Sequence, residues 1–344
     1  MTALGADRRA ALVAAKAAAL VAAHTGTDVG TPHLLPGGAG LMVGDCAWVL
    51  LDDRPELGLG RALAWAGRHH ATHVAVMAEQ GTGVLARRAS CFATPIEVFS
   101  VTGRDLDAAS PESAGPEIQP SPGELDAAAD LVALGADVVV EHGVVTAEIR
   151  GLEMARVVTT DGVAVVQPGV GRNDRDGHAM VLAGADAGAH AATLARVAAD
   201  LAAVRAGEAA DRHPLGRMAR ERWLRRMVID NPARVGARAL GVAEPTVART
   251  SVSDPGAAFA VGHRDDGHAV AVACSVGIDL DLVPAAADVA LVHAQRTGTA
   301  EVDVVLVMAR RDDMAVTRRL ASSLVRPATI VTIDDDWYHH DTLR

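Results

Sequence analysis

Two stretches of this chain, one toward each end, alternate short apolar runs with segments of helical period, and they do so in the same order. In the first, Cys46 to Leu51 reads as a buried strand, Leu59 to Arg68 as a helix, His73 to Ala78 as a strand, Gly83 to Phe92 as a helix and Ile96 to Val101 as a strand. In the second, strand Ala269 to Cys274 precedes helix Pro284 to His293, strand Asp303 to Met308, helix Met314 to Leu324 and strand Thr329 to Ile333. Parallel strands need crossovers of about this length, so each stretch predicts a βαβαβ unit. The match extends to residues. Met77-Ala78 closes one strand and Arg87-Arg88 follows, Met308-Ala309 closes the other and Arg318-Arg319 follows at the same offset, and Pro95 and Pro327 introduce the last strands. The expected fold class is α/β, with two similar Rossmann-like βαβαβ lobes flanking a mixed α/β middle domain.

Composition shifts place the boundaries. Residues 1–40 read as an Ala-rich N-terminal helix and a Gly-, Thr- and Pro-rich loop, residues 41–107 as the first lobe and residues 244–344 as the second. Residues 108–123 carry Pro111, Pro116, Pro120 and Pro122 among Ser and Gly, the composition of a linker. The middle domain, 124–243, reads as a helix to Leu134, strands Asp137 to Glu141 and Val144 to Ile149 around a His142-Gly143 turn, and helix-like residues to Val158. Strand Val163 to Gln167, helix Ala187 to Arg205 and an Arg-studded helical region from Pro214 to Leu240 complete it.

Half of the residues are hydrophobic but only 2% are aromatic, so the cores are aliphatic and few rings are left for a base-stacking platform. The net charge of −11, from 32 basic and 43 acidic residues, excludes a nucleic-acid footprint over the whole surface and leaves only local patches. Lys16 is the only lysine, which together with the Ala and Gly content fits the codon bias of a GC-rich genome. Cys46, Cys91 and Cys274 form no C-x-x-C, hence neither a zinc ribbon nor a disulfide framework, and a reducing cytoplasm is the expected compartment. The apolar run Ala10 to Ala23 is interrupted by Lys16 and too short to span a bilayer, so no membrane partner is expected.

The strongest grouping with chemical potential lies in the middle domain: Glu124 in a helix, Asp137 opening a strand, and Glu148-Ile149-Arg150 closing the next. Alternate strand positions share a face, which would point Glu148 and Arg150 the same way. Carboxylates on adjacent strands can converge on Mg²⁺ or Mn²⁺, which could activate water or clamp a phosphodiester. Over residues 124–167 the pattern resembles the PD-(D/E)xK nuclease core, where a helix-borne Glu, a strand-borne Asp and an E-x-K triplet surround the metal. The resemblance implies a divalent-metal-dependent phosphodiesterase or nuclease, with Asp137, Glu148 and Glu124 as ligands and Arg150 in the lysine's place. A guanidinium holds phosphate but accepts no proton at neutral pH. The competing reading is a pair of surface carboxylates on a hairpin.

Arginines supply the candidate anion contacts. Arg156, Arg172 and Arg175 flank Gly-rich segments whose backbone N–H groups suit an anion, unless the neighbouring acids neutralise them. Arg212 to Arg238 contains eight arginines, among them Arg217, Arg222, Arg225 and Arg226, against Glu221 and Asp230 only. That excess suits nucleic acid or another phosphate-bearing ligand, with Trp223 as one stacking surface; a solvated helix face is the alternative. Two further functional classes stay open: a non-catalytic module that binds an anion, nucleic acid or protein, and a structural protein that homo-oligomerises through its aliphatic lobes.

Several phrases, Gly151-Leu152-Glu153, Gly169-Val170-Gly171-Arg172, His213-Pro214-Leu215, Glu221-Arg222-Trp223-Leu224-Arg225 and Val276-Gly277-Ile278-Asp279-Leu280, resemble an uncharacterised actinobacterial family of conserved hypothetical proteins. The Arg61 to Trp65 helix belongs to the same resemblance. It implies that these segments recur together, and no activity.

Overall fold

The computed structural model describes residues 3–206, 209–249 and 256–339, and it is a mixed α/β structure with three sheets. The N-terminal part runs α1 (Ala3–Thr25), β1 (His33–Leu35), β2 (Gly38–Val43), β3 (Cys46–Leu51), α2 (Leu59–Arg68), β4 (His73–Ala78), α3 (Thr82–Ala89), β5 (Ile96–Thr102) and β6 (Asp105–Ala108). Its strands form one sheet in sequence order, with β3, β4 and β5 parallel and the remaining pairs antiparallel. The loop expected before Gly40 therefore contains β1 and the start of β2. Pro36-Gly37, with Gly37 at φ +70°, makes a two-residue hairpin that pairs Leu35 with Gly38.

The middle part runs α4 (Pro122–Ala129), β7 (Asp137–Glu141), β8 (Val144–Ile149), β9 (Leu152–Thr160), β10 (Val163–Pro168), α5 (Gly171–Val181) and α6 (Ala187–Val204). Its sheet is an antiparallel meander in the order β10-β9-β8-β7. Three two-residue turns build it, His142-Gly143, Arg150-Gly151 and Asp161-Gly162, each with both residues at positive φ, as the twist of a tight hairpin requires. This overturns the helix-like reading up to Val158, because those residues form β9. It also removes Arg150 from the strand: at φ +46° it is a turn residue, and strand alternation no longer aligns it with Glu148.

Short helices α7 (Ala209–Arg212) and α8 (Pro214–Arg217) lead to α9 (Arg220–Asp230), followed by β11 (Ala239–Ala243), β12 (Ala258–His263), β13 (Ala269–Cys274), α10 (Leu282–Thr297), β14 (Val302–Ala309), α11 (Ala315–Ser322) and β15 (Thr329–Ile333). The third sheet has the order β11-β12-β13-β14-β15, antiparallel through β13 and parallel between β13 and β14. The helical region expected from Pro214 to Leu240 is thus cut into α8, α9, a 3₁₀ turn at Pro232–Val235 and the start of β11, and Gly236 at φ +66° terminates the turn.

The chain divides into two compact units. One holds the residues up to Ala114 with Asp279–Val292 and Asp313–Thr329; the other holds Gly115–Ile278, His293–Asp312 and the residues from Ile330. In the first unit α1 covers the sheet through Val13, Ala17, Leu20 and Val21 against Leu41, Trp48, Met77 and Phe99. The second has an aliphatic cluster around Ile149, Leu152, Met154 and Leu201, and another where Trp223, Leu224 and Val228 of α9 pack with Val270, Val272, Val305 and Val307. Helix α9 therefore gives its apolar face to the five-stranded sheet. Among the described residues no helix is long and apolar enough to cross a membrane.

Candidate functional site

Asp137 and Glu148 are directly opposed on β7 and β8, so these two carboxylates share one face of the meander. Arginines of α9 reach them. Arg222 donates to Glu148 Oε1 and to Glu141 Oε2, each at 2.5 Å, and Arg225 donates to Glu141 Oε1 at 2.6 Å and to Glu148 Oε2 at 3.4 Å. Two carboxylates and two guanidiniums thus form a neutral, buried ring of charge-assisted hydrogen bonds. Burial alone would raise the Glu141 carboxyl, but Arg222 and Arg225 prevail and hold it below the ordinary range. Burial likewise works against the charge of Arg222, and Glu148 and Glu141 overcome it. Asp137 pairs with Arg226 Nε at 2.6 Å; burial nevertheless leaves its pKa raised. Arg226 also pairs with Asp230 one turn along the helix.

The third expected carboxylate is engaged elsewhere. Glu124 closes a capping box at the start of α4, accepting from Ser121 N at 2.8 Å and Ser121 Oγ at 2.9 Å, and takes the Thr159 hydroxyl at 3.0 Å. Those bonds, the Ser121 backbone first, lower its pKa. Among the described residues no group of three or more His, Cys, Asp or Glu side chains is arranged to hold a metal ion.

The remaining arginines have diverse surroundings. The Gly-rich segment after β10 is helix α5, in which Arg175 is buried and paired with Glu153; Arg156 reaches the same carboxylate at 3.1 Å. Arg172 is 88% exposed and lies 3.8 Å from Asp176, and Arg217 donates to the Asp211 carbonyl at 2.8 Å. Arg150 donates to the carbonyl of Arg205 at 2.5 Å.

Arg205 was not expected to matter. It caps the C-terminus of α6 and is fully buried, and its Nη2 donates to the Met218 carbonyl, while Nε and Nη1 have no hydrogen-bond acceptor among the described residues. Its guanidinium carbon lies 5.1 Å from the centre of the buried Trp223 ring, and that of Arg150 lies 5.3 Å from it. Burial lowers the Arg205 pKa to about 10, nearby Arg220 adds to this, and Glu221 and Glu148 oppose it, so the group remains a cation at neutral pH. Arg220, the first residue of α9, donates to Gly216 O at 3.0 Å and Asp211 Oδ1 at 2.9 Å and lies over the Tyr338 ring. A single arginine ending an Ala-rich helix gives no signal of burial, so only the fold could reveal it.

No protein-family model matches this chain, and no curated protein or solved structure matches it either.

Proposed function

We propose that this protein acts by binding an anionic ligand, without metal-dependent hydrolysis. The observation that carries the reading is Arg205, a buried cation with two nitrogens lacking acceptors among the described residues, beside Arg150 and near Arg220. The carboxylates needed for a nuclease centre are engaged: Glu148 by Arg222 and Arg225, Asp137 by Arg226, and Glu124 by a helix cap. An ion at Asp137 and Glu148 would have to displace three guanidiniums from their partners.

The reading includes an internal duplication. Each outer sheet begins with two antiparallel pairings, followed by a parallel one across a helix. When Pro95 is aligned with Pro327, Phe92 corresponds to Leu324, and these residues form an antiparallel bridge. Ala93 N donates to Ser323 O and Val325 N to Cys91 O, both at 2.9 Å. Under that alignment the two bonds are reciprocal, the pattern of a two-fold contact between equivalent segments.

Calorimetry with Mg²⁺ and Mn²⁺, incubation with labelled DNA and RNA, and thermal shifts in a panel of anions at constant ionic strength test the reading. The expected result is no metal uptake, no cleavage and a rise in Tm with at least one anion. Metal binding and cleavage that vanish together in Glu148→Ala would overturn it, as would a Tm indifferent to every anion.

A further inference from the structure

We propose that β15 is a docking edge for a second copy of this chain, the two β15 strands pairing antiparallel about a two-fold axis at Val331. This rests on the internal duplication above and is independent of anion binding. The two outer sheets match strand for strand except at one end. The N-terminal sheet runs β1-β2-β3-β4-β5-β6 and the third sheet β11-β12-β13-β14-β15, so β5 has an outer neighbour where β15, among the described residues, has none. Nor do Thr329–Ile333 make any backbone hydrogen bond outside their sheet among the described residues.

The duplicate shows what such an edge takes. Strand β6 pairs antiparallel with β5, opposing Ser100 with Asp107, and Ala109 N donates to Val98 O at 2.8 Å. With Pro95 aligned on Pro327, Val98 and Ser100 correspond to Ile330 and Thr332, which therefore turn their N–H and C=O groups to the open edge. A row of free donors and acceptors is a template for another strand unless charge or proline blunts it. The N-terminal sheet is blunted, because its outermost strand β6 carries the exposed Asp105 and Asp107. Strand β15, Thr329-Ile330-Val331-Thr332-Ile333, has no charge, glycine or proline, and every residue in it is β-branched. At the other margin β11 contains Gly241, and its counterpart β1 is also an edge, so the duplication assigns no strand there.

The flanking residues select a second copy as the occupant. Arg326 precedes β15 and Asp334, Asp335 and Asp336 follow it, all of them exposed. Antiparallel self-pairing brings the acidic end of each strand toward the basic end of the other, whereas parallel pairing would set like against like. Centring on Val331 uses all five residues. Thr329 opposes Ile333 and Ile330 opposes Thr332, so the two edge-facing residues exchange main-chain hydrogen bonds on both sides of the axis. The contact is isologous and closes at two chains. One pair of short strands buries less than a permanent dimer does, which sets an expected Kd on the order of 10 μM.

Sedimentation velocity on the full chain, from about 1 to about 200 μM, should show a monomer–dimer equilibrium without larger species. Thr332→Pro removes an edge-facing N–H and leaves the bonds to β14 in place, a substitution that edge strands tolerate. Thr332→Lys puts an ammonium on the edge at an exposed side chain and keeps the test decisive if the proline variant fails to fold. Each should raise the dimer Kd at least tenfold with an unchanged far-UV circular dichroism spectrum. Val331→Cys reads the register: opposed residues at this position approach to about 4.5 Å between Cα atoms, close enough for a disulfide. Under a mild oxidant that variant should form a covalent dimer that the wild type, with Cys46, Cys91 and Cys274, does not. A chain that stays monomeric at the highest concentration overturns the proposal, as does a dimer that Thr332→Lys leaves intact or that Val331→Cys does not cross-link. None of these results alters the anion panel, and a monomer leaves the duplication standing on its Phe92–Leu324 bridge.

Discussion

Removing one carboxylate from the ring of Glu141, Glu148, Arg222 and Arg225 tests whether α9 is held by charge. Glu148→Ala leaves two guanidiniums sharing one carboxylate and therefore one uncompensated cation among side chains that are 14% exposed or less. Breaking a buried pair by deleting one partner costs about 3–5 kcal/mol, because the surviving charge keeps its desolvation penalty and loses its attraction. Glu141 still serves both arginines, which favours the lower end, about 3 kcal/mol. For a folding unit of this size that corresponds to a Tm lowered by roughly 6–12 °C. Urea unfolding at pH 7, followed by tryptophan fluorescence and far-UV circular dichroism, measures the loss. Arg172→Ala, at an 88% exposed side chain, serves as a control and should change stability by less than about 0.5 kcal/mol. Adding Arg222→Met to Glu148→Ala restores neutrality, so the double variant should be more stable than the sum of the single losses by at least about 1 kcal/mol. A loss under about 1 kcal/mol in Glu148→Ala, or strict additivity in the double variant, would refute the account.

Three further outcomes are expected. Burial raises the Asp281 carboxyl to about 6 against the pull of Arg88, above the unfolded 3.8, so its stabilising contribution is complete below about pH 4 and lost as pH rises through 6. Urea titrations should therefore show the stability difference between wild type and Asp281→Asn declining from pH 4 to pH 6, and a constant difference would count against it. Asp211 has the opposite sign: Arg220, and then Tyr338 and His339, hold its carboxyl at about 2, so its contribution is present above pH 4 and lost on acidification toward pH 2. Asp211→Asn should flatten that acid limb, and an unchanged limb would exclude the role. Gly151→Ala places a Cβ against the Trp223 backbone at positive φ, and a loss of at least about 2 kcal/mol is expected in urea unfolding; near-wild-type stability would mean that the Arg150-Gly151 turn does not press on α9.

The sequence exposes what is local. Strands Cys46–Leu51, Asp137–Glu141, Val144–Ile149 and Ala269–Cys274 follow from apolar period and turn residues alone. Arg150-Gly151 carries the same signal as His142-Gly143, a two-residue X-Gly step between apolar runs, and that step is the hairpin leading into β9. Charge is different, because its partners lie far along the chain. The arginines of α9 look like an excess when counted between Arg212 and Arg238, yet Arg222 and Arg225 meet carboxylates 74 to 84 positions earlier. Arg87 and Arg88, legible only as half of a repeat, close on the buried Asp288 about 200 positions away. A run of like charge is therefore a patch only after distant partners have been subtracted. The subtraction neutralises Arg222, Arg225 and Arg226 and leaves Arg205, which no charge count had singled out. Among the described residues its Nε and Nη1 meet no acceptor, and what the fold sets against its charge is the Met218 carbonyl and the face of the Trp223 ring.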